Sequence, residues 1–131
     1  MKLNKLIPFL LLPILASFSI SAQDTSGTAL ISKKFERKIR KKNTVVLDVR
    51  MMDEYNESHI PKAINYNVLD SLGFVKAVQP LDKNKKYFLY CKSGRRSGKA
   101  LVIMKNMGFE NVLHLSGGIT AWQGKKEIPK K

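Results

Sequence analysis

Two hydrophobic spacings alternate along this chain, one suited to strands covered on both faces and one to helices lying over them. Thr44-Val45-Val46-Leu47-Asp48-Val49 is a β-branched run without polar alternation, the pattern of a doubly buried strand. Lys86-Tyr87-Phe88-Leu89-Tyr90 reads the same way and runs straight into Cys91. Asn111 to Leu115 is a third strand, Ile64 to Asn67 a weaker one, and Ala29-Leu30-Ile31 a short edge strand. Between the strands the period changes. Ile31, Phe35 and Ile39 recur every four residues behind Ser32 as N-cap, which predicts a helix ending near Lys42. Its outer face carries Lys33, Lys34, Arg37, Lys38, Arg40 and Lys41. Leu69 to Val78 predicts a short helix stopped before Pro80. Ala100, Ile103, Met104 and Met107 fall at the spacing of a helix packed on a core, with Gly108 as its left-handed C-cap. Ser116-Gly117-Gly118 opens a last short helix through Trp122. Strands alternating with helices predict an α/β sandwich, a mainly parallel sheet with helices on both faces.

The first residues do not fit this scheme. Lys2 and Lys5 form a basic start, an apolar run extends from Leu6 to about Ile20, and Ser19-Ile20-Ser21-Ala22 ends it on a small residue. Those three regions are the pattern of a secretory signal peptide. The run is shorter than a spanning helix needs and is interrupted by Pro8 and Pro13, so cleavage after Ala22 is expected rather than a retained anchor. No cysteine follows the cut to carry a lipid. The mature chain is then residues 23–131: a polar linker 23–28, one domain over 29–124, and a loose basic tail 125–131, in a periplasmic or secreted protein with no stable membrane span.

With 131 residues there is room for one domain, and 44% hydrophobic with 26% charged residues excludes a disordered chain and collagen-like repeats. The single cysteine excludes an intrachain disulfide and a zinc site built from several thiolates, and no cofactor or metal centre is implied. The formal charge is +14, or +12 once Lys2 and Lys5 leave with the leader. Fourteen of the remaining Lys and Arg residues lie in 33–42, 83–86 and 125–131. No aromatic ladder interleaves them, so nucleic acid is not an expected partner; such runs are solvated faces that also attract small anions.

An exported protein with one unpaired cysteine keeps it either because it is inert or because it reacts. Cys91 ends a strand at the point where open α/β sheets bind ligands, and Lys92-Ser93-Gly94-Arg95-Arg96-Ser97 follows as a small polar turn. Ser93 and Gly94 are small enough for successive backbone N–H groups to face inward. A helix beginning near Arg95 would aim its positive end at the sulfur, and Lys92, Arg95 and Arg96 add full charges. Each favours a thiolate, so the expected site is a nucleophile in a cationic cradle suited to an anionic substrate. No histidine is near Cys91 in sequence; His59 and His114 are expected to be structural.

Three segments in order resemble the rhodanese-like domains. Val46-Leu47-Asp48-Val49-Arg50, with Glu54-Tyr55 and His59-Ile60-Pro61-Lys62-Ala63-Ile64-Asn65, is similar to the family's first signature. Tyr90 to Ser97 is similar to its active-site loop, and Leu115-Ser116-Gly117-Gly118-Ile119-Thr120-Ala121-Trp122 to its closing motif. The likeness runs from about Ile31 to Trp122 and implies a rhodanese-like three-layer sandwich. It also implies that Cys91 accepts a sulfane sulfur from a small anionic donor such as thiosulfate, carries it as a persulfide, and passes it to cyanide, a thiol or a protein acceptor. The amides of Lys92, Ser93, Gly94, Arg95 and Arg96 would hold the persulfide, and Arg96 would help bind the donor. Asp48 and Arg50 would either orient the loop or meet substrate, or form an ion pair that only braces the sheet. A persulfide carrier without turnover is an alternative, and a cysteine phosphatase or arsenate reductase a weaker one. Phosphatase loops of this type read Cys-x5-Arg, whereas here Arg96 follows Cys91 after four residues. The family commonly has glycine where this chain has Ser58 and Lys62, so the turns around His59-Ile60-Pro61 are expected to differ.

Overall fold

The computed structural model describes residues 27–130, so the expected leader and residues 23–26 of the linker lie outside the described residues. Strands β1 (Ala29–Leu30), β2 (Thr44–Asp48), β3 (Ile64–Asn65), β4 (Lys86–Tyr90) and β5 (Val112–Leu115) form one sheet in the order β1-β5-β4-β2-β3. Every pairing is parallel. Helices α1 (Ser32–Ile39), α2 (Met52–Glu57), α3 (Ser71–Val78) and α4 (Arg95–Asn106) make the crossovers, and a 3₁₀ turn spans Gly118–Ala121. No helix among the described residues is long and apolar enough to cross a membrane.

The two cores follow from strand pleating. Successive side chains of a strand point to opposite faces, and on β4 Tyr87 and Leu89 pack on one face while Phe88 and Tyr90 pack on the other. Cys91 continues the first set. On that face lie α3 through Phe74 and Val78, and α4 through Ala100, Leu101 and Met104. The opposite face is covered by α1 through Phe35, and by Ile60, Ile119 and Trp122. Phe35 meets Phe88 and Trp122 edge-on at centroid distances of 5.6 and 5.9 Å, which fixes the closing turn against α1.

Several local expectations change. Ile31, not Ser32, occupies the N-cap of α1, and no side chain caps it. Ser32 is buried, and its hydroxyl accepts from the Gln123 N–H at 3.0 Å, tying the helix start to the segment just after the closing 3₁₀ turn. Ile31 precedes the helical spiral and is 68% exposed, so the buried stripe starts at Phe35. The helix stops at Ile39, where the Thr44 hydroxyl donates to the Ile39 and Lys41 carbonyls. Helix α2 has no sequence signal of its own: none of its residues is buried. Asp70 caps α3, accepting from Gly73 N–H at 3.0 Å. The tail expected to be loose is tied down as far as Glu127, which pairs with His59 in an antiparallel bridge (N···O 2.9 and 2.8 Å).

The turn around Ile60-Pro61 keeps the shape that glycine would favour. Lys62 sits at φ +67°, in the left-handed region that costs an L-residue roughly 1–2 kcal/mol. Ser58, at φ −171°, is extended backbone that any residue adopts. The departure at Lys62 is therefore absorbed as strain at one residue, with the turn intact. Lys62→Gly is expected to stabilise the fold by roughly 0.5–1 kcal/mol, the relieved strain being partly offset by a freer unfolded chain. Thermal unfolding of the two proteins checks this; a lower Tm in the glycine variant contradicts it.

Candidate active site

The site is built at the carboxyl end of β4, a central strand flanked by β2 and β5. Cys91 lies there with the residue only 1% exposed, so its sulfur forms the floor of the loop that follows. That loop turns at Gly94, whose φ of +104° is a conformation L side chains rarely adopt. The reversal starts the twelve-residue α4 and brings peptide N–H groups onto the sulfur. The Gly94 amide donates to Sγ at 3.1 Å, and the amides of Ser93 and Ser97 are near enough to favour its thiolate. Burial pushes the Cys91 thiol up, but the Ser97 amide and hydroxyl and the Gly94 and Ser93 amides outweigh it, and the thiol lies below its ordinary value. Of the five loop residues expected to hold a persulfide, Ser93 and Gly94 supply the N–H groups directed at the sulfur, joined by Ser97 from the first turn of α4.

Inward amides require outward carbonyls, and the closing motif holds those. Ile119 N–H donates to the Cys91 carbonyl at 2.8 Å and Thr120 N–H to the Lys92 carbonyl at 3.2 Å. A Cβ on Gly118 would lie 2.3 Å from the Lys92 oxygen and 2.6 Å from the Cys91 oxygen. Only glycine permits this approach.

The charged residues divide into two groups. Lys92 and Arg95 are exposed at the mouth and make no ion pair among the described residues. Arg96 instead forms a two-pronged pair with Glu54 of α2, at 2.6 and 2.8 Å. Glu54 also accepts from Met51 N–H at 3.1 Å, so one carboxylate starts α2 and steers Arg96. The hydrogen bond from Arg96 comes first among the causes that hold Glu54 at about 2. Its contribution is present above the ordinary carboxylate range and is lost as pH falls through about 2, so the pair is closed at neutral pH. Two arginines in the first turn of α4 oppose its dipole. An anion at that helix start compensates both.

Asp48 and Arg50 do not reach the mouth. Asp48 is fully buried and Arg50 is 5% exposed. Arg50 Nη2 donates to Asp48 Oδ2 at 2.7 Å and to the Ser58 carbonyl at 2.8 Å, while the Arg50 amide and Nε also donate to Asp48. Tyr90 adds its hydroxyl proton to Asp48 Oδ2 at 2.7 Å and accepts from Ile60 N–H. The pair is thus buried in an internal network that joins the ends of β2 and β4, with neither charged group at the mouth.

His59 is buried, stacked on Tyr55 and hydrogen-bonded through Nδ1 to the Tyr55 carbonyl, a structural role. His114 on β5 is different. Its Nδ1 lies 2.9 Å from Ser97 Oγ, which is 3.6 Å from Cys91 Sγ. Sequence reasoning missed Ser97, His114, Glu54 and Tyr90 as members of this site. Among the described residues no group of three or more His, Cys, Asp or Glu is placed to hold a metal ion. A groove of about 990 Å³ at the amino end of β2, around Thr44 and Trp122, shares no residue with the Cys91 loop, so volume does not locate the site.

Fold and loop together define an α/β domain with a cysteine at the carboxyl end of a central strand, inside a ring of peptide amides. The model of the rhodanese-like domain matches residues 32–125, and the chain belongs to that family. It is 34% identical over 113 residues to a tRNA uridine(34) hydroxylase of Pelagibacter ubique, covering 86% of this chain and 37% of that one. It is also 34% identical over 110 residues to a putative sulfur carrier protein, YrkF, of Bacillus subtilis, covering 82% and 57%. The chain thus spans between about a third and somewhat over half of these relatives. Among solved structures, a rhodanese-related protein of Thermoplasma volcanium aligns with a TM-score of 0.67 at 25% identity, over 77% of this chain and 98% of that one. A rhodanese-like domain protein of Staphylococcus aureus aligns at 0.68 and 23% identity, over 79% and 99%, and shares the fold.

Gly118→Ala is expected to cost at least roughly 1–3 kcal/mol, because the methyl group meets backbone that cannot yield without releasing the loop. Denaturant unfolding measures the loss. Slower alkylation of Cys91 at neutral pH in the folded variant reports the displaced amides, whereas wild-type stability and reactivity would contradict the clamp.

Proposed function

We propose that this protein is a sulfurtransferase that works through a Cys91 persulfide. The observation that carries the reading is the ring of Ser93, Gly94 and Ser97 amides on Sγ within a Cys91-x4-Arg96 loop. In the first half-reaction the thiolate attacks the outer sulfur of thiosulfate, the S–S bond of the donor breaks, and sulfite leaves with its electron pair. In the second, cyanide or an acceptor thiolate attacks the terminal sulfur of the persulfide and Cys91 leaves as thiolate. The charge on sulfur is conserved at each stage, so a fixed set of N–H donors serves both. Lys92 and Arg95 at the mouth draw in the donor anion, and Arg96, held by Glu54, sets the field at the loop's edge. A small ring favours one terminal sulfur over the oxygens of a phosphate, which argues against the phosphatase reading.

The similarity to a putative sulfur carrier supports a second reading, in which the persulfide is handed to a dedicated protein without turnover on small acceptors. Both readings need the same loaded Cys91. Incubation with thiosulfate is expected to add the mass of one sulfur atom, and cyanide to remove it as thiocyanate, with Cys91→Ser inert. Intact mass spectrometry checks both steps, and an aryl phosphate assayed on the same preparation is expected to show negligible hydrolysis. Phosphatase turnover exceeding sulfur transfer, and lost in the serine variant, overturns the proposal. Loading without catalytic thiocyanate production selects the carrier.

The leader pattern of residues 1–22 supports export of the protein to the periplasm or beyond. N-terminal sequencing from the native host is expected to begin at Gln23. Protein that retains Met1 in the soluble cytoplasm contradicts it.

A further inference from the structure

Ser97 is fully buried, and its hydroxyl is surrounded by three groups: Cys91 Sγ at 3.6 Å, the Gly94 carbonyl at 3.1 Å and His114 Nδ1 at 2.9 Å. A hydroxyl has one proton to give and two lone pairs to offer. The Gly94 carbonyl can only accept, whereas the sulfur and the imidazole can each do either. The hydroxyl can donate to the Gly94 carbonyl, which also accepts from the Gly98 amide at 3.0 Å, but two other arrangements link sulfur, hydroxyl and imidazole in one chain. With Cys91 as a thiol, S–H donates to Ser97 Oγ and the Ser97 proton goes to His114 Nδ1. With Cys91 as a thiolate, His114 Nδ1–H donates to Oγ and the Ser97 proton goes to the sulfur. They differ only in where two protons sit along one line of three atoms.

We propose that His114 is a positioning residue for Cys91, taking up the thiol proton through Ser97 and so turning the Ser97 hydroxyl toward the sulfur as a donor. The inference rests on Cys91 being the nucleophile of the sulfurtransferase reading and adds how that nucleophile is prepared. The step balances within the protein. The S–H bond of Cys91 breaks as a new O–H forms at Ser97, and the original Ser97 O–H breaks as N–H forms at Nδ1. Thiol and neutral imidazole become thiolate and imidazolium, with no outside reactant.

The surroundings of His114 suit this exchange. From α4 it faces Ser97 and Gly98, whose added Cβ would stand 3.6 Å from His114 Cε1. The Thr28 carbonyl, just before β1, accepts from the His114 backbone N–H, and Cys91, just after β4, reaches the ring through Ser97. Burial alone lowers the imidazole below its ordinary value, which favours the neutral ring while Cys91 is a thiol, and in the Nε2–H tautomer Nδ1 has a lone pair for the Ser97 proton. The thiolate then supplies the counter-charge that a buried imidazolium otherwise lacks, and the two groups titrate as a pair.

The test needs no sulfur donor. Alkylation of Cys91 by iodoacetamide is followed across pH in the wild type, His114→Asn and Ser97→Ala, with near-UV circular dichroism confirming each fold. Asparagine keeps a hydrogen-bonding atom near Nδ1 but cannot take a proton, so it separates relay from packing. The expected result is alkylation about tenfold slower in both variants, at a pH below both thiol pKa values, matching a fall in thiolate fraction of that size. Nitrogen-15 NMR of His114 is expected to show its titration moved to lower pH in Cys91→Ser, where no thiolate forms. That readout also stands if Ser97→Ala fails to fold. An unchanged alkylation profile in His114→Asn, or a His114 titration indifferent to Cys91, overturns the proposal. Thiosulfate loading of the same wild-type preparation decides the sulfurtransferase reading separately: coupled titration without loading removes the function and keeps the relay, and loading without coupling does the reverse.

Discussion

The buried carboxylate of Asp48 is the constraint on which the rest of the site depends. It accepts from the amide, Nε and Nη2 of Arg50 and from the hydroxyl of Tyr90. Those bonds join the end of β2 to the end of β4 and, through Arg50 and Tyr90, to the Ser58 carbonyl and Ile60 amide. Removing one partner of such a pair leaves the other charge buried without compensation, a loss of about 3–5 kcal/mol. Tyr90 immediately precedes Cys91, so the position of the sulfur is set from beneath by a polar network and from beside by the closing motif.

Above that floor, the site uses backbone more than side chains. Ser93, Gly94 and Ser97 amides converge on Sγ, and the Ile119 and Thr120 amides restrain the carbonyls of Cys91 and Lys92. Peptide dipoles fixed in this way stabilise negative charge on the sulfur without reorganising. The arginines contribute unequally. Arg96 is immobilised by Glu54, a carboxylate supplied by a helix with no buried residue of its own, while Arg95 remains at the mouth.

How much of this could be read from the chain depends on range. β2 and β4 were legible because both faces are covered, leaving unbroken apolar runs, and the loop was legible because Cys91, Gly94 and Arg96 are sequence neighbours. The beginning of α1 was misread because a polar Ser32 before an apolar period looks like a cap, when its hydroxyl serves Gln123 across the domain. Helix α2 was invisible because nothing in Met52–Glu57 is buried to create a stripe. Glu54 and Arg96 are 42 residues apart, as are Asp48 and Tyr90, and Ser97 and His114 are 17 apart. Such pairs exist only once the sheet order brings their strands and helices side by side.

The reliance on peptide groups separates two properties that many active sites entangle. Lys92, Ser93 and Arg95 are exposed, yet their neighbours' main-chain conformation, fixed by Gly94 and Gly118, is what forms the cradle. Side chains around the rim are therefore free to vary while the amide cradle around Cys91 stays intact. A substitution at this mouth alters what meets the cysteine before it alters the cradle that holds it.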